Sequence, residues 1–205
     1  KMTQIKGESI HVSVGRELFD DPKLDKKDKR YKAAKGLNLG LQYGLTAVGL
    51  QRDLNDKKEE DEPPVSREDA QNLLNMYFSK FPKVKEWSNK QRNSVRNPGY
   101  VETKLGRRCW LNPYNWQSGN NALNSPIQGG AADITKYALS EVRKQSYKRW
   151  GEWYCFGVVH DEIDFSVPIE IFEEHKNMVE SIMVKCAEQI YKGITFEVES
   201  KWGEN

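Results

Sequence analysis

Residues 153–167 read WYCFGVVHDEIDFSV, with two apolar runs on either side of a short acidic segment. The first run, 153–159, is almost continuously apolar, and from Ile163 to Val167 apolar residues alternate with polar ones. Short apolar runs and alternation at every second residue are typical of β-strands. The stretch therefore predicts two antiparallel strands joined at His160-Asp161-Glu162, and it places a sheet in the second half of the chain.

Helical patterns flank this predicted hairpin. A helix is predicted over residues 121–150, irregular in its first turns because of Pro126 and the pair Gly129-Gly130, and regular from about Ala131. A second, amphipathic helix is predicted over residues 170–191, followed by a closing strand over 194–198. The expected core residues of that helix are Phe172, Met178, Val179, Ile182, Met183 and Ala187.

The first half of the chain reads as mainly helical. The spacing predicts a helix over residues 31–50, an exposed loop over 56–64, a helix that starts at the capping signal Ser66-Arg67-Glu68-Asp69 and ends before Pro82, and another that runs to about Arg96. One side of the first of these helices should face the core, through Ala34, Leu37, Leu41, Leu45 and Val48. After a turn at Pro98-Gly99, residues 100–110 read as a hairpin. The predicted fold class is α+β.

Composition limits the classes of protein that fit. The 205 residues are 37% hydrophobic and 30% charged, with a formal net charge of only +2, so any affinity for nucleic acid must come from local basic patches. Cys109, Cys155 and Cys186 form no CxxC pair, which favours buried free thiols in a reducing compartment. Residues 1–8 contain no signal core and no run is long enough to span a membrane, so we expect a cytoplasmic protein.

The acidic turn is a candidate metal site. Adjacent carboxylates at Asp161 and Glu162 repel each other at the tip of an apolar hairpin, and a bound cation would relieve that repulsion. Mg²⁺ takes one or two protein carboxylates and completes its shell with water and phosphate oxygens. An exposed acidic turn without a metal is the alternative. His160 could donate to a phosphate or a primer sugar, or it could be structural.

The predicted helix over 31–50 is a candidate nucleotide site. Tyr31, Lys35, Leu39 and Tyr43 recur every four residues and form one stripe, and Gly36, Gly40 and Gly44 form a second stripe beside it. Each glycine inside a helix costs about 1 kcal/mol relative to alanine, so this pattern indicates that something approaches the backbone closely. A base pair is one such object, with Lys35 on a triphosphate. Packing of another helix on the glycines is the alternative.

Two further segments carry side chains that suit nucleic acid. The predicted hairpin holds Lys104, Arg107 and Arg108, a composition that favours contacts with a phosphate backbone, although a solvated basic turn fits equally. The amides of Asn124 and Gln128 can bond to bases or sugars in a minor groove. For Asn120 and Asn121 we favour helix capping.

Together these segments resemble the C-terminal polymerase region of family A DNA polymerases, the DNA polymerase I type. The resemblance runs from about Ile5 to Asn205, and it is carried by the strings KGLNLGLQYG at 35–44, TKLGRRCWL at 103–111, NSPIQGGAAD at 124–133, VHDE at 159–162 and WGEN at 202–205. It implies a helical fingers subdomain over 1–112, with a nucleotide-binding helix at 31–50 and a GRR hairpin at 100–110. The C-terminal part of a palm, with an antiparallel sheet and flanking helices, follows over 113–205.

The resemblance also implies roles for single residues in template-directed addition of dNTPs to a primer 3′ end. Lys35 is expected to be catalytic and to bind the triphosphate together with His11, while Leu39 lies at the sugar and Tyr43 near the templating base. Asp161 and Glu162 are expected as catalytic ligands of Mg²⁺. The expected contacts with primer-template DNA are Gly44, Arg107, Arg108, Asn124, Gln128 and His160.

Three departures from the family pattern qualify these expectations. Tyr31 stands where an arginine is usual, and Arg30 or Lys32 would have to replace its charge. Leu39 stands where an aromatic residue usually packs on the sugar. The family's first catalytic motif, an aspartate in a D-Y-S-x-(I/L)-E type strand, is not in the sequence, so a partner segment carrying that aspartate, the thumb and any exonuclease is expected.

Two other functions remain open. The chain could be a non-catalytic DNA-binding or assembly subunit that keeps the polymerase fold, or a magnesium-dependent nuclease that uses Asp161 and Glu162. The nuclease would leave Lys35 and the glycines unexplained. For the polymerase, the expected setting is the cytoplasm of a bacterial cell or of a phage-infected host.

Overall fold

The computed structural model describes residues 8–60 and 62–203, with Gln42 described by its backbone alone. In chain order the elements are α1 (Ile10–Phe19), α2 (Lys29–Gly40), α3 (Ala47–Asp56), α4 (Arg67–Lys80), α5 (Pro82–Asn93), β1 (Tyr100–Glu102), β2 (Arg108–Trp110), α6 (Ser118–Trp150), β3 (Cys155–Val159), β4 (Glu162–Phe165) and α7 (Phe172–Ile190). The predicted α+β class is confirmed. Three expectations fall wholly or largely outside the described residues. They are the absence of a signal core in residues 1–8, the start of the family resemblance at Ile5, and its end at Glu204-Asn205.

The chain divides into two compact units. Within the described residues, the first unit runs to Val101 and resumes over Trp110–Asn124, and the second comprises Glu102–Cys109 and the chain from Ser125 onward. The first unit is helical, and its core is formed by α1 to α4. Its buried residues include Val14, Leu18, Ala34, Leu37, Leu50, Ala70, Leu74 and Tyr77.

The predicted helix over 31–50 is wrong beyond Gly40. There α2 ends, Leu41–Tyr43 form a 3₁₀ turn, and Gly44 adopts the left-handed region at φ 76°. A new helix, α3, then begins behind Thr46, whose side chain accepts from the backbone N–H of Gly49. The chain breaks here because glycines weaken a helix and Gly44 reaches positive φ without strain. As a result Val48 is 53% exposed, while Ala47 and Leu50 are buried.

The start of α4 confirms the predicted capping signal. The Ser66 hydroxyl accepts from the backbone of Asp69, and the Asp69 carboxylate accepts from the backbone of Ser66. The helix ends at Lys80, and Pro82 opens α5 at the position where its missing N–H costs nothing. The hairpin of β1 and β2 and the loop before Ser66 are also as predicted.

Helix α6 is longer and more regular than predicted. Its 33 residues run without interruption through Pro126 and the glycine pair 129–130. Asn120 and Asn121 lie inside it, so the capping role favoured for them is wrong. The helix tolerates the proline because buried residues lie on both sides of it, among them Ala122, Leu123, Ala138 and Val142. Fully burying a leucine or valine side chain stabilises by about 1.5–3 kcal/mol, comparable to the proline's cost of about 3 kcal/mol.

In the second unit, the β3–β4 hairpin confirms the predicted antiparallel pair. Val159 pairs with Glu162, so the connection is the two-residue turn His160-Asp161, and Glu162 already belongs to β4. The strand predicted over 194–198 is wrong: these residues form no strand in the described part of the chain, and Ile194 is 54% exposed. Backbone there has no strand to pair with, and alternating side chains alone do not make a sheet.

Helix α7 packs its apolar face on α6. Met178 and Val179 form a cluster with Val142, and Ile182 and Met183 lie against it. The cysteines are free thiols, as predicted, but only Cys186 is buried, while Cys109 and Cys155 are half-buried. None of the helices in the described part of the chain combines the length and the apolar character that crossing a membrane requires.

Candidate functional site

Lys35 lies on the exposed side of α2. The helix starts at Asp28, whose carboxylate accepts from the backbone N–H of Arg30. Lys35 is exposed, and it takes part in none of the ion pairs formed within the described residues. Leu39, one turn further on, is 41% exposed, and Tyr43 in the 3₁₀ turn is 52% exposed. An ammonium group without an intrachain acid is available to an anionic ligand.

The structure brings His11 and Lys35 together. His11 is half-buried near the start of α1, which packs against α2. Burial, and then the positive charge of Lys35, lower the pKa of His11 below its ordinary value. Two residues predicted for the same phosphate, and 24 positions apart in sequence, therefore lie close enough to interact electrostatically.

Two polar residues that sequence reasoning missed lie beside His11. The side-chain amide nitrogen of Asn38 lies 3.1 Å from Nδ1 of His11, and the Tyr77 hydroxyl donates to the amide oxygen of Asn38 at 3.2 Å. Asn38 follows Lys35 by three positions, so helical spacing could have placed both on one side of α2. Tyr77 lies on α4, and nothing in the sequence marks its hydroxyl as a partner of Asn38.

The two cations proposed as substitutes for the arginine missing at Tyr31 are both engaged elsewhere. Arg30 forms ion pairs of 2.6 Å with Asp21 and with Asp28, whose hydrogen bonds raise its pKa. Lys32 pairs with Glu59 at 3.2 Å. The expectation that either replaces the missing charge at a triphosphate is therefore not supported, because nearby acids already neutralise both.

The three glycines of the predicted stripe accommodate side chains of the chain itself. A Cβ on Gly36 would lie 3.2 Å from a carboxylate oxygen of Asp53, and one on Gly40 would meet Leu45 at 2.7 Å. At Gly44 an added Cβ would overlap the amide oxygen of Asn120. These contacts match the packing alternative, so the glycine pattern by itself gives no reason to place a base pair against this backbone.

In the second unit, the basic hairpin is fastened to α6 through Arg107. Its Nε donates to Asp133 at 2.9 Å, and its Nη2 donates to the backbone carbonyl of Gly129 at 2.6 Å. A Cβ on Gly129 would lie 2.7 Å from Thr103, so glycine is needed for this approach. Arg108 pairs with Glu102 at 3.2 Å. Asp133 lies in one of the motif strings, but the sequence assigned it no role. In the structure it is the buried partner that orients Arg107.

The two amides predicted to contact DNA differ in exposure. Gln128 is exposed on α6, whereas Asn124 is half-buried. The side-chain oxygen of Asn124 is fully buried and has no hydrogen-bond partner within the described residues. Buried polar atoms are nearly always paired, and an ordered water can supply the donor for such an oxygen.

The acidic turn presents its charges to solvent. His160 adopts a left-handed backbone at φ 55°, and His160, Asp161 and Glu162 are all exposed. Oxygen ligands on an exposed turn fit a hard divalent cation. However, the described residues contain no cluster of three or more His, Cys, Asp or Glu suited to a metal. Asp161 and Glu162 can thus supply only part of a coordination shell.

Comparisons of the sequence with a family model and with known proteins point to the same family. The family model described as DNA polymerase family A matches residues 2–205. The DNA polymerase I of Lactococcus lactis subsp. cremoris (strain MG1363) is 33% identical over 192 residues, covering 89% of this chain and 21% of the relative. The DNA polymerase I of Borreliella burgdorferi (strain ATCC 35210) is 31% identical over 207 residues, covering 95% and 21%.

A solved structure supports the same relationship. The POL domain of Pol1 from M. smegmatis, in complex with DNA primer-template and dNTP, superposes with a TM-score of 0.73 at 32% identity, covering 88% of this chain and 31% of that one. The chain therefore spans about a fifth of the length of the curated relatives it matches.

Proposed function

The chain belongs to DNA polymerase family A, and we propose that it forms the fingers and C-terminal palm portion of an enzyme that adds deoxynucleotides to a primer 3′ end. The observation that carries the proposal is that His11 lies close enough to an exposed Lys35 to feel its charge, while Lys35 forms no ion pair within the described residues. A point charge and a neighbouring ring N–H suit the oxygens of a triphosphate. The solved relative, which holds primer-template DNA and dNTP, supports the same ligands.

The nucleotide is assigned to the first unit. In this proposal Lys35 and His11 hold the triphosphate, Leu39 lies at the sugar, and Tyr43 with Gly44 lies near the templating base. Leu39 offers an aliphatic rather than an aromatic surface, and it is 41% exposed. In this proposal the first unit is the fingers and the second is the palm portion. The units differ from the predicted division at residue 112, because Glu102–Cys109 belong to the second unit and Trp110–Asn124 to the first.

Primer-template DNA is assigned to the exposed polar residues of the hairpin and α6. Arg108 contacts the phosphate backbone. Arg107 holds the hairpin in place and is partly neutralised by its ion pair with Asp133. Gln128 and the accessible part of the Asn124 side chain bond to the minor groove. His160 lies near the primer terminus.

Asp161 and Glu162 would hold Mg²⁺ in this proposal. When bound, magnesium supplies charge neutralisation and alignment of the reacting oxygens. Two-metal transfer needs further carboxylates that bridge ions about 3.5–4 Å apart. We propose that these carboxylates, the thumb and any exonuclease lie in a segment outside the 205 residues, and that the complete enzyme works in a cytoplasm that contains DNA.

Primer extension tests the proposal. The chain is assayed with magnesium and four dNTPs, alone and together with a polypeptide that carries the D-Y-S-x-(I/L)-E strand. We expect extension in the mixture and little or none with the chain alone, and we expect Asp161→Ala to abolish it. Normal extension by the Asp161→Ala mixture would refute the metal assignment.

A second function has one observation in its favour: the described residues contain no group of three or more His, Cys, Asp or Glu that could hold a metal ion. A non-catalytic DNA-binding subunit would bind primer-template DNA with the same affinity whether or not dNTP is present, and no mixture would extend the primer. Extension in the mixture excludes this function.

A further inference from the structure

The hydroxyl of Tyr77 is a buried donor with one partner. Tyr77 is 4% exposed in the core of the first unit, and its ring lies 4.8 Å from that of Phe81. Burial raises the pKa of Tyr77, so the phenol keeps its proton and can donate. Within the described residues, its only hydrogen bond is the 3.2 Å contact with the amide oxygen of Asn38. The phenol therefore fixes which end of the Asn38 amide faces α4.

With its oxygen held by Tyr77, Asn38 directs its NH₂ group at His11. The amide nitrogen lies 3.1 Å from Nδ1 of the ring. An amide NH₂ can only donate, so Nδ1 must accept and cannot carry a proton. In a neutral imidazole the single proton then lies on Nε2.

The reversed amide is disfavoured by the same contacts. If the amide were turned over, its nitrogen would donate to the Tyr77 oxygen, and the phenol proton would need another acceptor. The described residues offer none at hydrogen-bond distance. Because a buried donor without an acceptor is costly, the core selects one orientation of the amide.

Burial and the charge of Lys35 both lower the pKa of His11 and favour the neutral ring, and the tautomer of the neutral ring decides what it offers to a ligand. A neutral ring with the proton on Nδ1 would present a lone pair at Nε2 and would repel a phosphate oxygen. A neutral ring with the proton on Nε2 presents a donor.

We propose that Tyr77 and Asn38 are positioning residues that hold His11 as the Nε2–H tautomer, so that this nitrogen donates to an oxygen of the triphosphate bound at Lys35. The tautomer follows from contacts within the chain, whereas its use for a triphosphate rests on the proposed function. Neither Tyr77 nor Asn38 needs to touch the nucleotide.

Nitrogen NMR of the chain labelled with ¹⁵N-histidine tests the tautomer directly. The sequence has three histidines, and spectra of His160→Gln and His11→Gln assign them. At pH 7.5 we expect His11 to show a protonated Nε2 and an unprotonated Nδ1. In Tyr77→Phe the amide is free to turn, and the two nitrogens should move toward averaged shifts. In Asn38→Asp, whose carboxylate only accepts, the proton should move to Nδ1.

Tyr137→Phe is the matched control. It also removes a tyrosine hydroxyl that donates to a side-chain amide oxygen, that of Gln189 at 3.4 Å, but in the second unit. It should leave the His11 shifts unchanged. A protonated Nδ1 in the unmodified chain, or identical shifts in Tyr77→Phe and Tyr137→Phe, would overturn the inference.

Titration with dATP separates the tautomer from the proposed function. Binding of dATP should shift the nitrogen resonance of Nε2 of His11. Tyr77→Phe should weaken dATP binding about threefold, because only a fraction of the molecules then has the proton on Nε2. If Nε2 is protonated but dATP does not shift it, the assignment of the triphosphate to His11 fails while the tautomer stands.

Discussion

At the scale of single residues, Lys35 is distinguished because it forms no ion pair with any acid in the part of the chain that the structure describes. Lys32 on the same helix pairs with Glu59, and Arg30 pairs with Asp21 and Asp28. The position of Lys35 in a motif predicts a role in nucleotide binding, and that role stays a prediction. The sequence could not predict which neighbouring cations are neutralised, because the acids concerned lie up to 27 positions away.

Replacing Lys35 should weaken the binding of nucleotide more than the binding of DNA. A charge-assisted hydrogen bond contributes about 1.5–3 kcal/mol, so Lys35→Ala should weaken dNTP binding by roughly ten- to a hundredfold. Lys32→Ala is the control and should change it little, since Lys32 is already paired. Both affinities are measured by equilibrium titration. Equal losses for dNTP and primer-template DNA in Lys35→Ala would contradict the triphosphate role.

Gly44 allows a prediction about stability. Its φ of 76° costs a non-glycine residue about 1–2 kcal/mol, and an added Cβ would also displace Asn120. Gly99, at φ 85°, has nothing within 4 Å of an added Cβ. We therefore expect Gly44→Ala to destabilise the chain by more than Gly99→Ala in urea unfolding. Equal values would mean that Asn120 moves away without cost.

At the scale of elements, the structure departs from the sequence predictions where contacts far apart in the chain decide the outcome. The capping box of α4 and the β3–β4 hairpin depend on neighbours in sequence, and both were predicted. The continuity of α6 through Pro126 depends on residues buried along its length, and local propensity argued against it. The strand predicted over 194–198 is absent from the described residues, because an alternating pattern of apolar and polar side chains does not reveal whether a partner strand lies beside it.

The attachment of the β1–β2 hairpin to α6 predicts different effects for its two arginines. Each phosphate contact of a free cation changes the slope of log affinity against log salt by about 0.9. Arg108 pairs with Glu102, whose side chain is exposed, and such a surface pair opens at little cost when a phosphate competes for the arginine. Arg108→Ala should therefore reduce the slope by close to that amount. Arg107→Ala should reduce it less, because Asp133 already neutralises Arg107, but should lower thermal stability more.

Filter binding at several salt concentrations measures the two slopes, and thermal unfolding measures the loss of attachment. Asp133→Asn supplies the control, since it removes the negative charge while keeping the side-chain shape. It should increase the slope by returning an unpaired Arg107 to the surface. A full change of slope in Arg107→Ala would show that the ion pair opens when DNA binds.

At the scale of the whole molecule, each unit contains one buried or half-buried histidine whose pKa is lowered. In the first unit this is His11, through burial and Lys35. In the second it is His175, which is 2% exposed and lies 5.4 Å from the ring of Trp150 and 4.8 Å from that of Phe165. Burial lowers the pKa of His175, and its Nε2 has no hydrogen-bond partner within the described residues.

Stability should therefore fall in mild acid. The unfolded chain binds a proton at each histidine near pH 6.5, whereas the folded chain binds it only at lower pH. The contribution of the two neutral histidines to the free energy of unfolding is fully present above about pH 6.5. It is lost as the pH falls through their lowered folded-state pKa values. Urea unfolding at pH 7.5 and 5.5 measures the difference. His175→Phe should reduce it, and His160→Gln, at an exposed position, should not.

The candidate site was predicted in part from the sequence. The motif strings supplied Lys35 and the acidic turn as candidates, because those residues lie in short, ordered patterns, and His11 was supplied by the resemblance alone. Asn38, Tyr77 and Asp133 were missed as participants, because their roles come from hydrogen bonds between elements that sequence order does not bring together.

The 3₁₀ turn at the end of α2 has an evolutionary consequence. Lys35 lies in the regular helix, whereas Tyr43 lies in the 3₁₀ turn that continues it and ends at Gly44. A substitution that reshapes this last turn can therefore leave the earlier turns of the helix undisturbed. Under the roles proposed for Tyr43 and Lys35, preference among bases can drift, or be selected in the laboratory, with little effect on the binding of phosphate.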